Sequence, residues 1–351
     1  MTASTPSPDA YLRTLLLCLL AGGLLSLLGL PLGWMIGAMI ATGYLALRNA
    51  AAVPALARPA GLVVLGLALG QGFTRPVMEA TAAALPAMLT GAVLVLAAGI
   101  AVAPLYRRLS ASDGRTAFFA TIPGGVVVMA ALAGQAGAAV PAVMVAQSLR
   151  MALVVLAYPL LAGLLAGRGG GASPFGAALP GTHAPALALL LVAGAMVALL
   201  AARIRLPNAA MLAPCLLAMA LSGSGVLPSS VPRWLVDAAQ VAMGASLGLH
   251  LARDGLGGAP RRAMMASLVA GLTVSLLLLL AGLALGWGAG LPVAAVVLGL
   301  APGGMPEMTV TAQALNLAVP LVLGFHLTRM VLCNLFVLPL WRGLAALGLF
   351  R

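Results

Sequence analysis

Lysine is absent from this 351-residue chain and only six residues are acidic, so its formal charge of +12 rests on arginine alone. Charged residues make up 7% of the chain, against about 25% in a soluble domain. A chain this long could bury a large core in water, but so few charges could not cover it. A soluble fold is excluded. Cysteine is equally sparse. Cys18, Cys215 and Cys333 lie inside apolar segments with no paired spacing, so neither a disulfide framework nor a zinc site is implied. Three histidines, His183, His250 and His326, are scattered, with no His-x-x-x-His or carboxylate–His spacing, so no metal or other cofactor is expected. No Gly-x-x-x-x-Gly-Lys-Ser/Thr is present, so the Gly-Gly pairs are not phosphate loops. The arginines sit between apolar runs, not in a soluble basic module. They read as topological charge, and no nucleic-acid partner is expected.

What the chain has is apolar length. Hydrophobic residues make up 63%, and crossing about 30 Å of hydrocarbon takes about 20 apolar residues. A polar tail (1–10) without a basic n-region reads as preceding a retained helix, not as a signal peptide. Six apolar segments fill 11–166: Tyr11–Leu28, Pro31–Leu47, Ala60–Phe73, Ala82–Tyr106, Thr116–Ala138 and Val140–Leu165. A Gly/Ser/Pro-rich linker (167–185) follows. Six more fill 186–345: Ala186–Ala202, Pro207–Leu221, Trp234–Leu251, Ala263–Trp287, Val293–Leu315 and Val319–Leu344. A short tail (346–351) closes the chain.

The two blocks are copies. Ile122-Pro-Gly-Gly-Val-Val-Val-Met129, Pro141 and Arg150-Met151 recur 179 residues later as Ala301-Pro-Gly-Gly-Met-Pro-Glu-Met308, Pro320 and Arg329-Met330. Leu30-Pro31 and Met35 recur as Leu206-Pro207 and Met211. Gly66, Gly70 and Arg75 recur as Gly244, Gly248 and Arg253. Proline is tolerated in the first turn of a helix, where its missing N–H would have no partner anyway, so Pro31 and Pro207 are expected to open helices.

Arginine placement tests the topology. If all six segments of each block cross, ten arginines fall on the N-terminal face and six on the other, a weak bias. If each Pro-Gly-Gly segment enters and leaves on one side, Arg75, Arg168 and Arg233 alone remain opposite the N-terminal face, apart from Arg150 and Arg329 within segments. The positive-inside rule favours the second arrangement, with both termini cytoplasmic. The expected fold is therefore an all-α polytopic membrane protein of two inverted repeats. Each repeat has about five transmembrane helices plus a re-entrant or broken Pro-Gly-Gly element. Such elements are tolerated at membrane depth only when buried in protein or lining a cavity, and they mark binding sites in transporters.

Within those elements, Gly124, Gly125, Gly303 and Gly304 free the backbone. Glu307 is an acidic residue beside a break inside an apolar segment, and so a candidate coupling group for a proton or cation. Its counterpart is Val128. Gln147 and Arg150 share one helix face, as do His326 and Arg329. These faces either bind an anionic solute or pin the loops through their carbonyls. Thr311, Gln313 and Asn316 are candidate lining residues. Glu79, Asp113, Asp237 and Asp254 fall at segment ends and read as solvated.

The motifs Leu30-Pro31-Leu-Gly-Trp-Met-Ile-Gly37, Thr121-Ile-Pro-Gly-Gly125, Ala301-Pro-Gly-Gly-Met-Pro-Glu-Met308 and the helices ending in Gln147/Arg150 and His326/Arg329 resemble the AbrB family of bacterial inner-membrane proteins, over about residues 11–345. The family's Pro-Gly-Gly motif is similar to one followed by an acidic residue, from which Val128 departs. The resemblance implies a bacterial inner-membrane location. Its name implies regulation of gene expression, and some members carry an ammonia monooxygenase label. Neither a metal nor a flavin pattern supports that reaction, and no catalytic residue is assigned. By fold-level analogy the architecture resembles inverted-repeat anion symporters. The expected function is a secondary transporter of a small anionic solute, its site between the two tips, with access alternating as one bundle moves against the other. A non-transporting membrane regulator is the alternative. The expected partners are membrane lipids and the solute; a homo-oligomer is left open. Gly137 and Asn316 follow the two Pro-Gly-Gly elements at matched positions. Single cysteines there should label from opposite faces of the membrane; labelling from one face would sink the inverted arrangement.

Overall fold

The structure, a computed structural model, describes residues 7–166, 180–204, 206, 208–256 and 260–348, without the side chains of 254–256. Arg168, Arg205, Pro207, Arg351, most of the linker and the outer ends of both tails fall outside these residues. Among the described residues every regular element is a helix. The first block forms α1 (Pro8–Leu27), α2 (Gly33–Leu47), α3 (Ala57–Gly70), α4 (Arg75–Ala83), α5 (Leu85–Ser110), α6 (Gly114–Thr121), α7 (Val126–Gln135) and α8 (Val140–Ala166). The second forms α9 (Ala184–Arg203), α10 (Ala209–Gly223), α11 (Arg233–His250) with a π-helical turn (Leu251–Leu256), α12 (Arg261–Gly288), α13 (Val293–Leu300), α14 (Met305–Ala314) and α15 (Val319–Ala346).

Among the described residues seven helices, α1, α5, α8, α9, α11, α12 and α15, are long and apolar enough to cross a membrane, as a multi-pass membrane protein requires. The other expected spans are shorter. Helices α2 and α10 have 15 residues each, about 22 Å. Helix α3 turns by 90° into α4, a helix the apolar pattern did not indicate. It is short and amphipathic, burying Val77 while Arg75 and Glu79 pair in the open. Pro31 does not open α2. It lies in the preceding turn, because the N-cap residue Leu32 adopts a left-handed backbone (φ 58). Asn208, 176 residues on, does the same before α10 (φ 53).

The chain divides into two compact units, each drawing on both blocks. The first takes residues 1–82 and 172–253, the second 83–171 and 254–351. In the first unit the helices meet through glycine. Helix α3 packs on α10, and α11 on α2. A methyl group at Gly66 or Gly70 would run into the carbonyl oxygens of Met211 or Cys215 on α10. One at Gly244 or Gly248 would run into those of Met35 or Met39 on α2. Lipid supplies no hydrophobic force between helices, so close approach at small residues carries the association. Outward faces are apolar: Leu12, Leu16, Leu20, Leu24 and Leu27 on α1, and Leu189, Val192, Met196 and Leu199 on α9, are exposed.

In the second unit α5, α8, α12 and α15, of 26 to 28 residues, surround the short helices. Helix α6 packs on α5 and α8, and α13 on α12 and α15. Both short helices are buried, α13 from Ala294 to Leu300 without interruption. The Pro-Gly-Gly stretches break α6 from α7 and α13 from α14.

Gly66→Ala and Gly70→Ala should each destabilise the detergent-purified protein by about 1–3 kcal/mol, the cost of overpacking, read as a fall in thermal midpoint. Gly43→Ala should be tolerated, since a methyl group there lies 3.7 Å from the nearest atom, Gly248 O.

Candidate functional site

Each break leaves the last carbonyls of a short helix without the N–H groups that a continuing helix would supply. Side chains of α8 and α15 take their place. Gln147 Nε2 donates to the carbonyls of Phe119 (2.9 Å) and Ile122 (2.9 Å). His326 Nε2 lies 3.1 Å from the carbonyl of Leu298 and donates to it in the tautomer protonated there. Phe119 and Leu298 are 179 residues apart, as are Gln147 and His326, so the bond is repeated with a different side chain.

The arginines follow the same scheme and then diverge. Arg329 donates from Nη1 to Ala301 O (2.6 Å) and from Nη2 to Gly303 O (2.9 Å). Arg150 reaches the matched carbonyl, Ile122 O, only at 3.5 Å. Its Nη2 bonds Gln147 Oε1 (2.7 Å), and its Nε crosses to the other break, bonding Pro302 O at 2.9 Å. Three consecutive carbonyls, of Ala301, Pro302 and Gly303, are thus held by two guanidiniums. The first break is held by an amide, by the long Arg150 bond, and by the Cys333 thiol at 3.8 Å from Pro123 O. Both guanidiniums are buried and close enough to repel each other. The carbonyls supply the partial negative charge that a buried cation needs. Of the two roles the sequence left open for Arg150 and Arg329, their hydrogen bonds are those of pins.

The matched glycines at the two tips answer different needs. Gly125 has φ +88 with nothing near its missing side chain; its need is conformational. Gly304 has an ordinary extended backbone (φ −75, ψ 145), but a methyl group there would strike the carboxylate of Glu307. Glu307 is buried in the first turn of α14 and folds back over the start of its helix. A carboxylate there is favoured by the helix dipole. At Gly303 a methyl group would meet Val154, and at Gly124 only the flexible end of Met129. The first turn of α14 is buried, whereas Val127 in the first turn of α7 is 82% exposed.

The expected site residues therefore gather in one unit around the two breaks. Asn316 is not among them: it ends α14 as an exposed turn residue with φ 52. Thr311 donates to the carbonyl of Glu307 in its own helix. Cys333 is an addition that the apolar pattern hid. It lies seven residues after His326 and four after Arg329, on the same helix face. Among the described residues no group of three His, Cys, Asp or Glu gathers as a metal site.

Residues 34–345 match the family model described as "Transition state regulatory protein AbrB". The chain belongs to the AbrB family. It is 28% identical over 316 residues to "Putative regulator AbrB" of Escherichia coli (strain K12), covering 86% of each chain. It is 27% identical over 348 residues to "Uncharacterized protein YhjN" of Bacillus subtilis (strain 168), covering 92% of this chain and 90% of that one. The AbrB match runs from α2 into α15 and so includes both breaks and both arginines.

Replacing Arg329 by Ala should destabilise the protein by about 1–3 kcal/mol for each carbonyl left without its donor. Arg329→Lys should not restore it, because one ammonium cannot reproduce the fixed fork. Exposed Arg342→Ala should leave the thermal midpoint unchanged; equal midpoints for all three variants would remove the pinning role.

Proposed function

We propose that this AbrB-family protein is a secondary transporter of a small anionic solute in the bacterial inner membrane, both termini cytoplasmic, and that Glu307 couples the solute to protons. The blocks 11–166 and 186–345 are read as inverted repeats, and the solute binds between the tips formed by Gly124-Gly125 and Gly303-Gly304. The observation that carries this is the Glu307 carboxylate folded over Gly304 at the start of α14. The start of a helix is an anion site, and here the protein's own anion occupies one of two matched helix starts. At the other, Val128 supplies no carboxylate.

Coupling follows from that competition. Ionised Glu307 is attracted to the N-terminal N–H groups of α14 and excludes a second anion. Protonation removes the charge, so the helix start can take the carboxylate or sulfonate of a solute. Proton and anion then bind together, and neither binds well alone. Gln147, Arg150, His326 and Arg329 act in this reading by fixing the breaks that aim the helix starts, and the buried positive charge of the two arginines favours an anion nearby. A regulator, as the E. coli relative's name has it, would use the same site to sense a solute without moving it.

Small carboxylates, sulfonates and amino acids should be tested for thermal stabilisation of the purified protein at pH 6 and pH 8, and each hit tested for uptake into proteoliposomes. The expected result is a hit whose stabilisation is stronger at pH 6 and whose uptake is driven by an inward proton gradient. Glu307→Gln should bind the same anion equally at both pH values and lose gradient-driven uptake. Binding without flux in the wild type would favour the sensor; no anion binding at either pH would end the proposal.

A further inference from the structure

The two halves of the second unit differ at one packing position. On α15, Phe325 fills the space between α5 and the end of α13: a methyl group on Gly91 would lie 2.8 Å from its ring, and one on Gly299 2.7 Å from its Cβ. The residue 179 positions earlier, on α8, is Ala146. Where a ring would sit there is a cavity of about 10 Å³, lined by Ala120 and Thr121 of α6, Ala146 and Arg150 of α8, Gly271 and Ser267 of α12, and Tyr106 of α5. Ala120 and Thr121 match Gly299 and Leu300, and Gly271 on α12 stands where Gly91 stands on α5.

This volume suits one water-sized particle, and the polar lining chooses among them. The Tyr106 hydroxyl is fully buried beside the Ser267 hydroxyl, with which it makes no well-formed hydrogen bond. The protons of Thr121 and Ser267 are committed, to Gly99 O at 2.8 Å and Ala263 O at 2.7 Å, so both present only lone pairs. Arg150 uses one N–H on each nitrogen and keeps two of its five. A cation would face the guanidinium, and a halide would face the lone pairs. A species that both donates and accepts fits.

We propose that this cavity is a specific site for a single internal water, bonded among Arg150, Tyr106 and the hydroxyl oxygens of Thr121 and Ser267. The water offers Arg150 an alternative to its long bond with Ile122 O. The first break is therefore the looser one, while Phe325 and Arg329 wedge and pin the second. The site is independent of which solute, if any, the protein carries.

The test is X-ray radiolytic footprinting of the full chain in nanodiscs, which labels side chains beside bound water. Tyr106 and Tyr158 are both buried, but the Tyr158 hydroxyl is taken up by Ser275 O at 2.9 Å, so it serves as the internal reference. Tyr106 should be labelled several-fold faster than Tyr158. Ala146→Phe, or Ala146→Leu if the larger side chain prevents folding, should bring Tyr106 down to the reference. Hydrogen exchange in residues 119–125 should be faster than in 298–304 and should slow in the filled variant, with 298–304 unchanged. Equal labelling of the two tyrosines in the wild type, or labelling unchanged by filling, would overturn the water site. Exchange at 119–125 that does not respond to filling would overturn its role at the break.

Discussion

A carbonyl freed from a helix where no water reaches it must find a donor in the protein. That requirement governs the second unit. Each break in a short helix exposes such carbonyls, at a cost of about 1–3 kcal/mol for every one left bare. A buried guanidinium is expensive for the opposite reason. Arg329 and the break at Ala301–Gly303 cancel each other's cost, since the fork supplies two donors to two carbonyls two residues apart. Helices α8 and α15 are accordingly helices whose polar face is turned inward, carrying Gln147 and Arg150 or His326, Arg329 and Cys333. Their apolar remainder, with Leu156 and Leu160 or Val331 and Leu335, faces out.

The same economy explains why each half needs its short helices enclosed. Helix α13 is buried from Ala294 to Leu300. Wrapped by longer helices, its broken end can be bonded from the side, which an element facing lipid could not be. Among its described residues the first unit has no Pro-Gly-Gly break, although it bends by 90° from α3 into α4. Its helices approach through Gly66, Gly70, Gly244 and Gly248, and at the bend between α3 and α4 the Ser222 hydroxyl donates to the Gln71 carbonyl at 2.8 Å.

Much of this was legible in the sequence. The 179-residue spacing located both breaks, and the three-residue steps from Gln147 to Arg150 and from His326 to Arg329 put each pair on one helix face. What the donors bond was not legible, because a guanidinium that binds a solute and one that binds a carbonyl have the same spacing. The turn into α4 was hidden because a window of about 20 residues averages a nine-residue amphipathic helix into its neighbours. Cys333 was hidden because a thiol counts as apolar in composition and acts as a donor only in a dry site. Pro31 was misplaced by a residue or two because Leu32, against its steric preference, takes the left-handed turn.

The divergence of the two breaks shows what duplication does and does not preserve. Backbone demands persist: Gln147 and His326 are unlike residues bonding matched carbonyls, and Gly125 and Gly304 are like residues serving unlike ends. Side-chain demands have separated. Val128 stands opposite Glu307, Ala146 opposite Phe325 and Val154 opposite Cys333, and in each pair one member adds packing, charge or a donor that the other lacks. These differences do not scatter. Phe325 and Glu307 both bear on the second break, and Arg150 has left the carbonyl of Gly124, which matches Gly303, and reached across to Pro302. A symmetric pair of breaks would hold two equal tips, neither favoured to move. Here the second tip has gathered both guanidiniums and a wedge, and the first retains one amide and two long bonds. The physical asymmetry is thus concentrated in the stretch where the sequence repeats most faithfully, so that the duplicated Pro-Gly-Gly sets the position of both breaks and the unmatched residues around it set how firmly each is held.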